Sequence, residues 1–229
     1  MPENILRAMP THSLQRWTAI SLAVIMLAAC ASKKAPEDLN LEVKKAEDTL
    51  TSFRNDQSMN WMRANMHNAR AIMVSPNVFQ AGFIVGGSGG RAMVIARHDR
   101  TQWSGPAFYK LASGSLGLQA GAQASEMVAL LMTDKAVNSM LSNSFKFGGD
   151  VSVAAGPVGA GTAAPVNADI VIFTRSKGLY GGVNLDGSVI SVDDKSNATF
   201  YKKAVTPTDI LIKHSVTNPA AAGLLKAAQ

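Results

Sequence analysis

A block of glycines between two short apolar runs is the feature that most constrains this chain. Residues Gly86–Gly90 contain four glycines and one serine, and the runs Ala81–Val85 and Ala92–Ala96 lie on either side of them. Each run is too short for a stable helix and is bounded by turn residues, which favours strands. Because glycine adopts positive φ without steric cost, the block is predicted to connect two paired strands.

The downstream sequence predicts further strands. Residues 115–125 alternate, with Leu116, Ala122 and Ala124 on the apolar face, and Met127–Met132 continues as a buried strand. Trp103–Leu111 is predicted to be an edge or bulged strand, because Pro106 cannot donate a ladder hydrogen bond. Shorter strands are predicted at 151–155, 168–174, 179–185 and 188–192.

Helices are predicted mainly before the sheet. Residues 38–54 have helical periodicity, and Ser58 is a candidate cap for a second helix. Thr133 and Thr206 each mark a later helix start. Together these patterns predict one α+β domain, a curved antiparallel sheet that is open or closes towards a barrel, with flanking helices and an N-terminal helical pair.

Four ordered motifs resemble the SYLF domain: Pro76–Arg97, Trp103–Tyr109, Gly114–Gly121 and Thr174–Gly182. The resemblance extends over about Leu39 to Lys213. It implies a non-enzymatic, lipid-binding domain of a type also present in eukaryotic endocytic adaptors, some of which bind actin.

The N-terminus is predicted to be a lipoprotein signal. The apolar run Trp17–Ala28 is too short to span a bilayer comfortably, and it leads into Leu27-Ala28-Ala29-Cys30, which looks like a bacterial lipobox. Residues 1–29 would then be the signal peptide and 30–37 the lipidated Cys30 with its tether, followed by the domain at 38–215 and a C-terminal tail at 216–229 that could form a short helix. Ala31 resembles the residue that follows the cysteine in outer-membrane lipoproteins. A secretory signal with a chance cysteine and an uncleaved anchor are the alternatives.

The charge balance favours anionic partners. The full chain carries a net charge of +6, and without residues 1–29 it has 20 basic and 15 acidic residues, a net charge of +5. No run of basic residues alternates with aromatic residues, which argues against nucleic acid as a partner. The candidate lipid contacts on the N-terminal segments are Lys44, Lys45, Arg54, Arg63 and Arg70.

Arg175 and Lys177 form a second candidate patch, in a predicted turn beside Gly178. Two cations and the backbone N–H groups of a Gly-rich turn can bind phosphate. The alternative interpretation is a solvated hairpin tip.

The sequence gives little evidence for a catalytic site or a metal site. Ser88 lies in a G-x-S-x-G pattern, but the nucleophile elbow of hydrolases requires a following helix, and the residues that follow here are β-like. His67, His98 and His214 are isolated, without the spacing of a zinc site. We therefore expect no enzyme activity, cofactor or metal. The hypotheses kept are binding of anionic lipid, through phosphoinositide or other phospholipid headgroups, and, as the alternative, a structural or interaction module that binds an envelope or host protein such as actin.

Overall fold

The computed structural model of this chain describes residues 35–82, 85–99, 102–116, 121–159, 167–176, 179–180 and 187–229. Within these ranges, Ala35–Gln229 forms one compact unit that contains several helices and a single sheet. No helix in the described ranges is long and apolar enough to cross a membrane. Residues 1–34, with the predicted signal peptide and Cys30, lie outside the described residues.

The sheet has nine strands in the order β5-β9-β3-β2-β1-β4-β7-β6, and β8 pairs with β7 off this path. The pairs are antiparallel except for β6 and β7, which run parallel. The sheet curls into a half-barrel, so the predicted α+β class with a curved sheet is confirmed. The strands are β1 Ala71–Gly82, β2 Val85–Arg97, β3 Trp103–Leu116, β4 Gly121–Leu131, β5 Ser144–Lys146, β6 Val153–Ala155, β7 Ile170–Ser176, β8 Leu179–Tyr180 and β9 Val189–Val192.

The helices lie where their capping signals predicted them, with one exception. Thr133 and Thr206 accept hydrogen bonds from the backbone N–H groups of Ala136 and Asp209, as N-caps do. Before the second helix, however, Asp56 caps the short 3-10 turn Gln57–Met59 and Ser58 is the donor, so the predicted Ser58 cap is wrong. The helices are α1 Pro36–Asn55, α2 Asn60–Asn65, α3 Asp134–Met140, α4 Asp194–Tyr201, α5 Pro207–Leu211 and α6 Ala222–Ala227.

Helix α1 covers one face of the sheet through the stripe that its sequence predicts. Its buried residues recur at the spacing of one helix face, and five of the six are apolar. Burying each large apolar side chain contributes roughly 1.5–3 kcal/mol, so this stripe fixes the helix on the sheet. The buried residues are Leu39, Val43, Ala46, Thr49, Leu50 and Phe53.

The glycine block does not connect two strands, and this prediction is wrong. Gly86–Gly90 lies inside β2 and pairs in register with both β1 and β3. Position 90 requires glycine because the neighbouring strand lies close. A Cβ there would lie 2.5 Å from the carbonyl oxygen of Asn77, where the register of β1 shifts between Val74 and Asn77. The glycine is needed opposite a bulge in the neighbouring strand and not for a turn.

Both prolines in the sheet are accommodated at irregular register. Pro76 lies in the shift between Val74 and Asn77, so β1 continues past it and does not end there. Pro106 lies opposite the shift between Val94 and Ala96. The predicted bulge is therefore confirmed, but β3 is no edge strand, since it pairs with β2 on one side and with β9 on the other.

The alternating run 115–125 is not one strand. Its first residues end β3 and its last begin β4, which continues without a break to Leu131. Ala122, Gln123 and Ala124 are all exposed and Ser125 is buried, so exposure does not follow the predicted apolar and polar faces. Alternation specifies two faces, but tertiary contacts decide which face is covered.

The C-terminal helix packs into the core. Leu224 is fully buried, and Arg54 on α1 donates a 2.5 Å hydrogen bond to the carbonyl oxygen of Ala227. A Cβ on Gly223 would lie 2.0 Å from a carboxylate oxygen of Glu47, so the missing side chain allows this close approach. The residues predicted to form a tail thus contribute to the core, and the described core residues all lie between Leu39 and Ala228.

Candidate functional site

Helix α1 is held on the sheet by two clusters of charged side chains, and the first involves Arg91 of β2. Its guanidinium lies 3.4 Å from a carboxylate oxygen of Glu42 and 3.4 Å from one of Asp193, and it donates a 3.0 Å hydrogen bond to Ser196. Asp193 is only 2% exposed and also lies 3.5 Å from the ammonium group of Lys110. A buried carboxylate requires such compensation, so the cluster fixes α1, β2, β3 and α4 together.

The second cluster involves Arg175 of β7. Its Nη2 lies 2.6 Å from Oε2 of Glu126, and it donates a 2.9 Å hydrogen bond to Ser52 of α1. The guanidinium also lies over the ring of Phe53, and Thr49 donates a 3.1 Å hydrogen bond to Glu126. The paired carboxylate and the stacked ring occupy the guanidinium within the fold.

Beyond these clusters, β3, β2, β1 and β4 continue as a surface with very short side chains. Directly paired residues of an antiparallel sheet share a face, so the register defines two rows on the face that carries Arg91. We call these rows the platform; seven of its residues are glycine or alanine and one is Phe79. The first row is Ala112, Gly89, Phe79 and Ala124, and the second is Gly114, Gly87, Ala81 and Ala122.

The opposite face of the same strands is polar. Ser88 and Ser113 share a 2.6 Å hydrogen bond, and the register places Gln80 and Gln123 in the same row. Ser88 lies within β2, so the turn from strand to helix that a nucleophile elbow needs does not occur there. Its hydroxyl meets another serine, and this pairing supplies no general base.

Lys44 and Lys45 are neighbours on α1 with different environments. Lys44 lies 2.8 Å from Glu47 and 2.9 Å from Asp48, and these hydrogen bonds raise the pKa of its ammonium group to about 12. Lys45 is exposed and makes no ion pair with the described residues. Of the two, Lys45 has the charge that is more accessible to an outside partner.

Arg54 and Arg63 bind backbone carbonyl groups. Arg54 bonds to Ala227 of α6, and Arg63 donates to the carbonyl oxygens of Arg54 and Asp56 at the C-terminal end of α1. Cations at a helix C-terminus satisfy its free carbonyls. These two side chains therefore have structural partners in the folded unit.

The remaining predicted contacts are dispersed. Arg70 is exposed at the start of β1, where its guanidinium lies 3.6 Å from Asp134. Arg175 lies in a strand and not in the predicted turn, and Lys177 lies outside the described residues. The predicted pairing of these two cations in one anion-binding loop stays a prediction.

Sequence reasoning missed both charged clusters and also a pair of histidines. The rings of His98 and His214 lie 4.0 Å apart, although their positions are distant in the sequence. Burial and the neighbouring His98 both lower the pKa of His214. Among the described residues, no group of three His, Cys, Asp or Glu side chains could hold a metal ion.

Comparison with known proteins identifies one family. The family model named Ysc84 and described as "Las17-binding protein actin regulator" matches residues 112–229, just over half of the chain. This match includes β4, both clusters' partners Glu126 and Asp193, and the C-terminal helix that packs on α1.

Curated eukaryotic relatives match more of the chain. An SH3 domain-containing protein of Schizosaccharomyces pombe is 32% identical over 82% of this chain and 46% of its own length. The human SH3 domain-containing YSC84-like protein 1 is 30% identical over 77% of this chain and 54% of its own length. Protein YSC84 of Saccharomyces cerevisiae is 31% identical over 83% of this chain and 43% of its own length. This chain thus spans about half the length of the curated relatives it matches.

Proposed function

Because the chain belongs to the Ysc84 family, whose domain is also called SYLF, we propose that its folded unit binds anionic lipid without performing chemistry. The observation that carries the proposal is Lys45. Its ammonium group is exposed on α1, has no ion pair within the described residues, and follows the predicted lipidated Cys30 by only 15 positions in the sequence. The excess of basic over acidic residues adds a weaker, general attraction.

The proposal includes an anchor. Cys30 carries the lipid chains in this proposal, and Ala31 after it favours the outer membrane of a bacterial envelope. One acyl chain gives only reversible attachment, whereas two or more hold a protein stably. Expressed in bacteria, the full chain should fractionate with membranes and Cys30→Ser should become soluble. Membrane fractionation of Cys30→Ser would mean that another segment is the anchor.

Vesicle binding tests the lipid contact. The chain from position 30 onward, carrying Cys30→Ser, keeps the described core and removes the anchor. It should sediment with phosphatidylglycerol-containing vesicles more than with phosphatidylcholine vesicles, and less as salt rises, because salt screens exposed charges. Equal binding to both vesicle types at low salt, or none, would contradict the proposal.

A matched pair of variants tests Lys45 itself. Each basic residue near an anionic surface contributes about 1 kcal/mol, so Lys45→Glu should weaken binding by roughly 30-fold, about 2 kcal/mol. Lys203→Glu makes the same charge change at an exposed position after α4 and is the control. Equal losses in the two variants would mean that net charge matters and the α1 position does not.

A protein partner is the second candidate function. The relatives favour it, since the family description names Las17 binding and actin regulation, and one yeast relative is named LAS seventeen-binding protein 3. Co-sedimentation with filamentous actin would test this function for the same chain. Actin binding together with failure to bind vesicles would favour this candidate over lipid binding.

A further inference from the structure

We infer that the platform is the surface that lies against the anionic bilayer, an inference that rests on the proposed lipid binding. In this arrangement Phe79 enters the interfacial region of the membrane, while Lys45 and Lys110 contact headgroups at the border of the platform.

The platform presents one large side chain among short ones. Phe79 is 61% exposed, whereas its paired neighbours Gly89 and Ala124 have almost no side chain to cover it. A single exposed apolar residue is ordinary on a soluble protein. Here, however, the seven surrounding platform residues are short, so a planar bilayer could approach the backbone while the aromatic ring inserts.

The lysines lie at the border between the platform and α1. Lys110 pairs with Arg91 in the row next to Gly89 and Ala112, and its side chain is 55% exposed. Lys45 lies one helical turn from both Glu42 and Thr49, which contact the sheet at Arg91 and Glu126. It therefore belongs to the flank of α1 that borders the platform.

Three carboxylates near this border are already paired with cations of the fold. Glu42 and Glu126 lie against Arg91 and Arg175, and Asp193 is buried. Lys45 and Lys110 are the exposed cations at this border, and Lys110 also lies 3.5 Å from the buried Asp193. An apolar surface with cations at its edge is complementary to an anionic membrane, where headgroup charge lies above the apolar interior.

Area and charge argue against a protein occupant. Four strands about 4.8 Å apart and two rows about 7 Å apart give a platform on the order of 300 Å². Stable protein interfaces bury about 800 Å² per partner. A second copy seated face to face, with the two-fold axis along the strands, would also bring Lys45 and Lys110 of both copies together, and like charges repel.

A fluorescent label at position 79 tests the contact directly. Cys30 is the only cysteine, so Cys30→Ser allows a single new cysteine to be labelled with an environment-sensitive nitrobenzoxadiazole dye. Phe79→Cys is the test, and Ile212→Cys is the control, since Ile212 is also exposed. Ile212 follows Leu211, whose carbonyl accepts from Ser104 at the far end of β3, roughly 25 Å along the strand from Ala112.

Vesicles containing phosphatidylglycerol should shift the emission of the label at position 79 to shorter wavelength and leave position 212 unchanged. Sedimentation of both labelled chains with vesicles, without a selective shift at position 79, would overturn the platform contact but leave lipid binding intact. Failure of the unlabelled chain to sediment would instead overturn the proposed function, and this inference with it.

Substitution gives an independent measure. Phe79→Ser should weaken partitioning into the same vesicles at least about tenfold, since it removes a buried aromatic group from the membrane. Ile212→Ser should leave partitioning unchanged. Equal partitioning of Phe79→Ser and the parent chain, with unchanged circular dichroism, would overturn the insertion of Phe79.

Discussion

The two ends of the long strands β1 to β4 have opposite characters. At one end, Ala92–Ala96 of β2 and Met127–Leu131 of β4 are buried residue after residue. At the other end, the same strands carry mainly glycine, alanine and serine, and the platform is exposed apart from the half-buried Gly89. The hydrogen-bond ladder continues through both ends, so the backbone alone does not distinguish them.

The difference comes from what packs on the strands. Arg91 faces α1 through Glu42, whereas Tyr109, paired with Ala92, faces the other side and donates a hydrogen bond to Met140 of α3. Helices on both faces require large apolar side chains between them, and burial there raises the pKa of Tyr109 well above its usual range. The platform end has small residues, so its stability depends on the ladder while its surface remains open to a partner.

The largest expected effect contrasts one side chain from each end. Met93 is 1% exposed, so Met93→Ala should lower the free energy of unfolding by about 2–5 kcal/mol. Phe79→Ala removes a larger side chain from the platform, but it should change stability by no more than about 0.5 kcal/mol. Urea denaturation measures both, and similar losses would mean that the platform is covered in solution.

The boundary between the two ends gives the next effect. A Cβ on Gly90 would lie 2.5 Å from the backbone of Asn77, so Gly90→Ala should cost about 1–3 kcal/mol through a forced backbone shift. Gly114 has no atom within 4 Å of its Cβ position, so Gly114→Ala should be neutral or slightly stabilising. A neutral Gly90→Ala would show that the bulge in β1 can relax.

The smallest effect concerns acid stability at the helix-covered end. Thr206 and Lys213 hydrogen-bond to the carboxylate of Asp209, Thr206 most strongly, and lower its pKa from 3.8 to about 2. Because the folded pKa is lower than the unfolded one, the carboxylate stabilises the fold above about pH 4, and this contribution disappears as pH falls through about 2.

Asp209→Asn should therefore reduce the loss of thermal stability between about pH 4 and pH 2. Thr206→Ala, which removes the hydroxyl bonded to the carboxylate, should reduce it in the same direction. Platform variants such as Gly114→Ala should keep the full acid dependence. An unchanged acid dependence in Asp209→Asn would assign that loss to other carboxylates.

Local patterns in the sequence determined the elements that depend on nearest neighbours. The stripe of α1 and the caps at Thr133 and Thr206 follow from side-chain period and hydrogen bonding within a few residues. These features predicted the fold class and most element positions, because no distant contact is needed to specify them.

The tertiary structure alone decided where the glycine block lies and what the charged residues do. The close approach at Gly90 comes from a bulge in β1, and Arg175 pairs with Glu126 beside α1. Asp193 pairs with two cations, Arg91 on β2 and Lys110 on β3. The platform likewise exists only because register places glycines and alanines of four strands in the same rows. Register and side-chain pairing join residues that are distant in the sequence, so no local pattern encodes them.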